Sequence, residues 1–125
     1  MTPPPSHGTA EADGLRHTAR MTAPTGPVIL FDGDFHMYVL RDVAHAEAYW
    51  EMPDEYTCGF DAQARPLGMA GEPHRVTLEL TGAAPAETAL RRLVADHYRR
   101  FLPREVPPQA ADLAEFVAAL PRDGG

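Results

Sequence analysis

Three side chains able to hold a metal or move a proton lie close together where the apolar part of the chain begins: Asp32, Asp34 and His36. Alternate residues of an extended strand point the same way, so a strand through these positions sets two carboxylates and an imidazole along one edge. The competing reading is a turn, because Asp32-Gly33 separates two apolar runs and glycine takes the positive φ a tight hairpin needs. The turn is the more economical reading, and the three residues stand as a candidate ligand or metal set beside it. A second group is Tyr49 and Trp50 with Glu47, Glu51, Asp54 and Glu55 around them. An aromatic anchor rimmed by carboxylates suits a basic protein partner, while Trp50 equally suits a core position.

Other reactive residue types offer less. Cys58 has no base or positive charge beside it in sequence to activate its thiol, and a half-buried strand cysteine is the simpler reading. His7, His17, His36, His45, His74 and His97 show none of the short spacings of a metal-binding motif. Arg91, Arg92, Arg99 and Arg100 fall on the outer face of a long helix, with Asp96 in reach for pairing, and read as a solvated face. No catalytic set and no cofactor-binding motif is legible.

The elements that must position these residues follow from patterning. Residues 1–26 are rich in Pro, Gly, Ser and Thr and poor in large apolar side chains, and are expected to be disordered, as are residues 121–125. Residues 27–120 are expected to form one domain. With Asp32-Gly33 as a two-residue loop, strands 28–31 and 35–40 place Val28, Leu30, Phe35 and Met37 on one apolar face. Asp42 caps a short helix from Val43 to about Met52, stopped by Pro53. Tyr56 to Phe60 and Leu67 to Met69 flank a longer hairpin loop. Arg75 to Leu80 alternates as a half-buried strand. A helix from Pro85 to about Leu102 buries Leu90, Leu93, Val94, His97 and Phe101, and a last one spans about Gln109 to Leu120. The fold class expected is α+β, a mostly antiparallel sheet of about four to five strands with a short helix and two C-terminal helices packed on one side.

Composition limits the function classes. The net charge is −7 and lysine is absent, which disfavours nucleic acid and anionic membranes as partners. The lone cysteine forbids an intrachain disulfide, and no stretch resembles a leader or a membrane span, so the cytoplasm is the expected location.

The phrase Ile29 to Asp34 resembles the nucleophile loop of haloacid-dehalogenase phosphatases but departs from it at His36, where that loop carries Thr or Val, and the chain is short for that fold. A longer resemblance runs from Gly33 to Leu67: Gly33-Asp34 opening a strand, Ala46-Glu47-Ala48-Tyr49 in a capped helix, and Asp61-Ala62-Gln63-Ala64-Arg65 as a hairpin turn. It is similar to small uncharacterised bacterial α+β proteins, some resembling immunity proteins of toxin systems, with Ala64 standing where their turn carries Gly. The resemblance implies a non-enzymatic, immunity-type inhibitor, and the acidic balance with the carboxylates around Tyr49 and Trp50 points to a basic protein as the partner it sequesters. Alternatives from the residues are a small-ligand domain or minor enzyme at Asp32, Asp34 and His36, and an oligomerising structural component.

Overall fold

The computed structural model describes residues 23–123. His7, His17 and most of the expected N-terminal tail lie outside these residues, as do the last two glycines. Five strands, β1 (Val28–Asp32), β2 (Met37–Leu40), β3 (Tyr56–Phe60), β4 (Pro66–Glu72) and β5 (Arg75–Leu80), form one antiparallel sheet in the order β2-β1-β3-β4-β5. Three helices join them: α1 (Val43–Tyr49), α2 (Glu87–Phe101) and α3 (Leu113–Ala118), with a 3-10 turn at Pro53–Glu55. The α+β class expected from the patterning is the class observed. No helix among the described residues is long and apolar enough to cross a membrane.

The helices do not share one side, as patterning suggested. Ile29, Phe31, Met37, Val39 and Phe60 pack with Leu90, Val94 and Tyr98 of α2 and Phe116 and Val117 of α3. Val28, Leu30, Leu40, Leu67, Val76 and Leu78 pack on the opposite face with Ala46 of α1 and Trp50. The sheet is therefore a middle layer, and β1, apolar at every position from Val28 to Phe31, is buried on both faces. Helix α1 touches both β5 and β2, the two edge strands.

Two hairpin turns share one construction. In Asp61-Ala62-Gln63-Ala64-Arg65, the Asp61 Oδ1 accepts from the amides of Gln63 (3.0 Å) and Arg65 (2.9 Å), and Ala64 takes a left-handed φ of 61. In Asp32-Gly33-Asp34-Phe35-His36, the Asp32 Oδ1 accepts from the amides of Asp34 (2.9 Å) and His36 (3.0 Å), and Phe35 takes a φ of 62. Each aspartate N–H also meets the carbonyl four residues on, and each carbonyl accepts from the residue three on. This is a three-residue loop ending in a left-handed residue. Gly33, expected to carry the positive φ, does not; Phe35 does.

The longer loop changes the register. Val28 faces Leu40 and Phe31 faces Met37, where the two-residue loop would set Val28 against Met37. An odd shift exchanges the faces of a strand. Met37 accordingly sits in the α2 layer, away from Val28 and Leu30, and Phe35 is 37% exposed at the hairpin tip.

Asp61 is fully buried and its second oxygen is also used. Oδ2 accepts from Arg65 Nε (2.9 Å), pairs with Arg65 Nη2 (2.7 Å) and accepts from the Thr25 amide (3.1 Å) and hydroxyl (3.3 Å). Thr25 and Asp123 thus extend the ordered chain beyond the expected limits of 27 and 120, since Asp123 bonds to Val39 of β2 through both its amide (2.7 Å) and its Oδ2 (2.8 Å). The short helix is as expected, capped by Asp42 Oδ1 on the His45 amide (2.7 Å), though it ends at Tyr49. The last helix is shorter than expected and is capped by Asp112. Strand β4 runs past Met69 into a tight turn, Pro73-His74, with His74 at φ 66.

Removing the Asp61 carboxylate takes the acceptor from two loop amides and the Thr25 amide, and the charge partner from the partly buried Arg65 guanidinium. Asp61→Ala is expected to cost about 3–5 kcal/mol in urea unfolding followed by circular dichroism, whereas Asp32→Ala, in the more exposed copy of the turn, is expected to cost about 1–2 kcal/mol.

Candidate functional site

The register places Tyr38 on the same face as Leu30, beneath the end of α1. There a cleft of about 340 Å³ opens, lined by Asp32, Tyr38, Tyr49, Trp50, Glu51 and Glu55. Its back wall is Trp50, only 7% exposed, whose Nε1–H donates to the Met52 carbonyl at 2.8 Å. The Tyr38 ring stands edge-on to Trp50 at 5.2 Å and 6.2 Å from Tyr49, and Tyr56 stands edge-on behind Trp50 at 6.0 Å. Gly59 keeps this wall in place: a Cβ there would meet the Leu30 Cδ2 at 2.6 Å and the Tyr56 hydroxyl, which donates to the Leu67 carbonyl, at 2.7 Å.

The outer rim follows from Pro53. It opens the 3-10 turn that presents Asp54 and Glu55 to solvent. A second depression of about 400 Å³, lined by Asp32, Gly33, Asp34, Asp54 and Glu55, adjoins the cleft through Asp32 and Glu55. Neither has an arginine or histidine among its described lining residues.

Asp32 joins the two. Burial alone would raise its pKa, but the His36 amide, the Tyr38 hydroxyl (2.9 Å) and the Asp34 amide together hold it below the usual carboxylate value. Tyr38 is pushed up to about 12, by burial first and then by its bond to Asp32, so it remains a neutral phenol donating to a carboxylate. The arrangement offers negative charge and aromatic surface. It contains no activated nucleophile.

The residues singled out in the sequence separate into two kinds. Tyr49, Glu51, Asp54 and Glu55 are exposed at the cleft and its neighbour. Glu47 is not part of that rim, because its Oε2 accepts from the Leu78 amide at 2.7 Å on the outer edge of β5. Trp50 is both core and cleft wall. Asp32, Asp34 and His36 do not line up, since the segment is a turn; the His36 ring lies against His97 (4.8 Å), Phe101 (4.9 Å) and Tyr38 (5.0 Å). Among the described residues no group of three His, Cys, Asp or Glu is placed to hold a metal ion. Cys58 is half-buried in β3 and burial pushes its thiol pKa up.

The arginine face is spent on structure at several points. Arg91 bonds to Glu87 and to the carbonyls of Ala110 and Ala111, with its guanidinium 4.4 Å from the Phe116 ring centroid. Arg99 pairs with Asp96, and Arg100 donates to the Asp34 carbonyl. The missed residue is Tyr38. Its signal was an aromatic between two core positions of β2, unreadable without the correct register.

Glu47→Ala leaves the Leu78 amide without its partner and is expected to lower stability by about 1–3 kcal/mol. Glu55→Ala, on the solvent rim, is expected to stay within about 0.5 kcal/mol in the same denaturation measurement. Comparison with known protein families, curated proteins and solved structures finds no match, so the candidate site rests on its own geometry.

Proposed function

We propose that this protein is a non-enzymatic binding module that sequesters a basic partner protein, as a toxin-system immunity protein does, and that the aromatic and acidic cleft receives a cationic side chain of that partner. The observation that carries the reading is the cleft's composition: Tyr38, Tyr49 and Trp50 with Asp32, Glu51 and Glu55, and no basic residue in its described lining. A cation against such rings gains about 0.5–2 kcal/mol depending on its desolvation. Carboxylates at the rim add attraction at a distance, which raises association rates more than affinity.

The fold contains its own precedent for the preferred cation. At Asp61 the clamped carboxylate carries the guanidinium of Arg65. At Asp32 the equivalent residue is His36, whose ring is turned onto α2, and the same type of carboxylate borders an open cleft. A guanidinium from outside has a place there.

Agmatine, a guanidinium on a flexible alkyl chain, is a suitable probe. Titration into isotopically labelled protein is expected to shift the Trp50 indole N–H and the amides around Glu51 and Glu55, with the response weakening as salt is added. Glu51→Arg with Glu55→Arg should abolish it, and Arg92→Glu should leave it intact. An unshifted Trp50 signal at saturating probe, or a response that survives the double reversal, would sink the reading.

A further inference from the structure

We propose that His97 is a pH-sensitive latch that holds the outer edge of β2 closed and releases it on mild acidification. Strand β2 is an edge strand, and its outward amides are covered by side chains from elsewhere in the chain. The Met37 N–H donates to His97 Nδ1 of α2 at 3.0 Å, and the Val39 N–H donates to Asp123 Oδ2 at 2.8 Å, while the Asp123 amide returns a bond to the Val39 carbonyl. The Met37 bond requires an unprotonated Nδ1, because an imidazolium has N–H groups at both positions and accepts nothing.

The surroundings oppose the imidazolium. His97 is only 4% exposed. The His36 ring stands edge-on to it at 4.8 Å, with a buried Nδ1 that has no hydrogen-bond partner among the described residues, and Phe101 and Tyr98 pack against it at 5.3 and 5.9 Å. Charges facing the pair come from every side: His36 disfavours a second positive charge, Asp32 at the end of β1 and Asp123 on the C-terminal segment favour one, Tyr38 is a neutral phenol, and Arg100 is held nearby on the Asp34 carbonyl. Burial is the largest influence, followed by His36, and the net direction for His97 is down.

The sign follows. In the closed state His97 stays neutral, while in an opened state it regains its ordinary value of about 6.5. The opened state then binds more protons, so opening is favoured as pH falls from about 6.5 toward the lowered folded value, and is unaffected above that window. The opening constant grows by up to about tenfold per pH unit within the window. The other sheet edge lacks this device: Leu78 of β5 donates to the Glu47 carboxylate and His74 to the Glu51 carbonyl, neither of which is an imidazole.

Amide hydrogen exchange on the intact chain, corrected for intrinsic exchange rates, tests the latch. Between about pH 7.5 and about pH 5.5 the protection of Met37 and Val39 is expected to fall about tenfold, with Leu78 unchanged. His97→Asn supplies an amide oxygen in place of Nδ1 and should abolish the pH dependence. His36→Asn should retain it with the midpoint moved upward, since a repelling neighbour is gone. Equal protection at both pH values, or the same loss in His97→Asn, overturns the proposal. Should His97→Asn fail to fold, the ring titration of His97 by NMR in the unaltered chain decides: a midpoint well below that of an exposed histidine supports the latch, and one at or above it overturns it.

Discussion

The Asp61 carboxylate is a contact on which several otherwise separate parts of the described chain converge. It closes the β3–β4 loop through two amides, neutralises Arg65, and ties down Thr25 ahead of β1. A buried carboxylate is tolerable only because both oxygens are filled, one by two loop amides and the other by a guanidinium together with the amide and hydroxyl of Thr25. The loop it closes also brings the Ala64 carbonyl to the Ala86 amide at the start of α2, at 2.8 Å. The long helix is thus positioned from the same turn that joins the central strands. Ala64 accepts a left-handed backbone there, at some local cost, because its methyl group is fully buried in the core against α2 and α3.

The second aspartate-clamped turn, at Asp32, shows what the construction does when it is less buried. The same pair of amides fixes the loop, but the remaining oxygen holds a tyrosine hydroxyl, and the turn borders open space. One local device thereby makes a rigid core joint at one place and the floor of an acidic cleft at the other.

The net negative charge is consequently a poor guide to where a partner would feel the protein. Asp61 is paired, Asp42 and Asp112 cap helices, and Glu47 and Asp123 cover strand edges. Covering exposed edge amides with carboxylates and an imidazole keeps other strands from adding to the sheet. Among the solvent-facing carboxylates, Glu51 and Glu55 line the aromatic cleft and Asp54 lines the depression beside it. The spatial grouping of those three, rather than the total, is what bears on recognition.

Much of the architecture was legible from local pattern. The alternation in Arg75 to Leu80, the Asp42 cap and the Leu90, Val94 and His97 part of the α2 stripe depend on neighbours within a few residues and have their expected local form, whereas Phe101 at the end of that stripe is 38% exposed and Tyr98 takes a core place beside His97. The uninterrupted run Val28 to Phe31 also carried, unread, the sign of a strand buried on both sides. What only the tertiary structure decided was register, and with it the site. Local preference puts the positive φ on Gly33, and a two-residue loop follows. The folded chain puts it on Phe35, where Met37 can enter the α2 layer, His36 can lie on His97, and Tyr38 can reach both Asp32 and Trp50. Side chains alternate along a strand, so an odd change in pairing turns every residue to the other face. Packing from distant elements therefore determined whether Tyr38 met the cleft or the opposite layer, and whether Glu47 served a partner or the edge of β5.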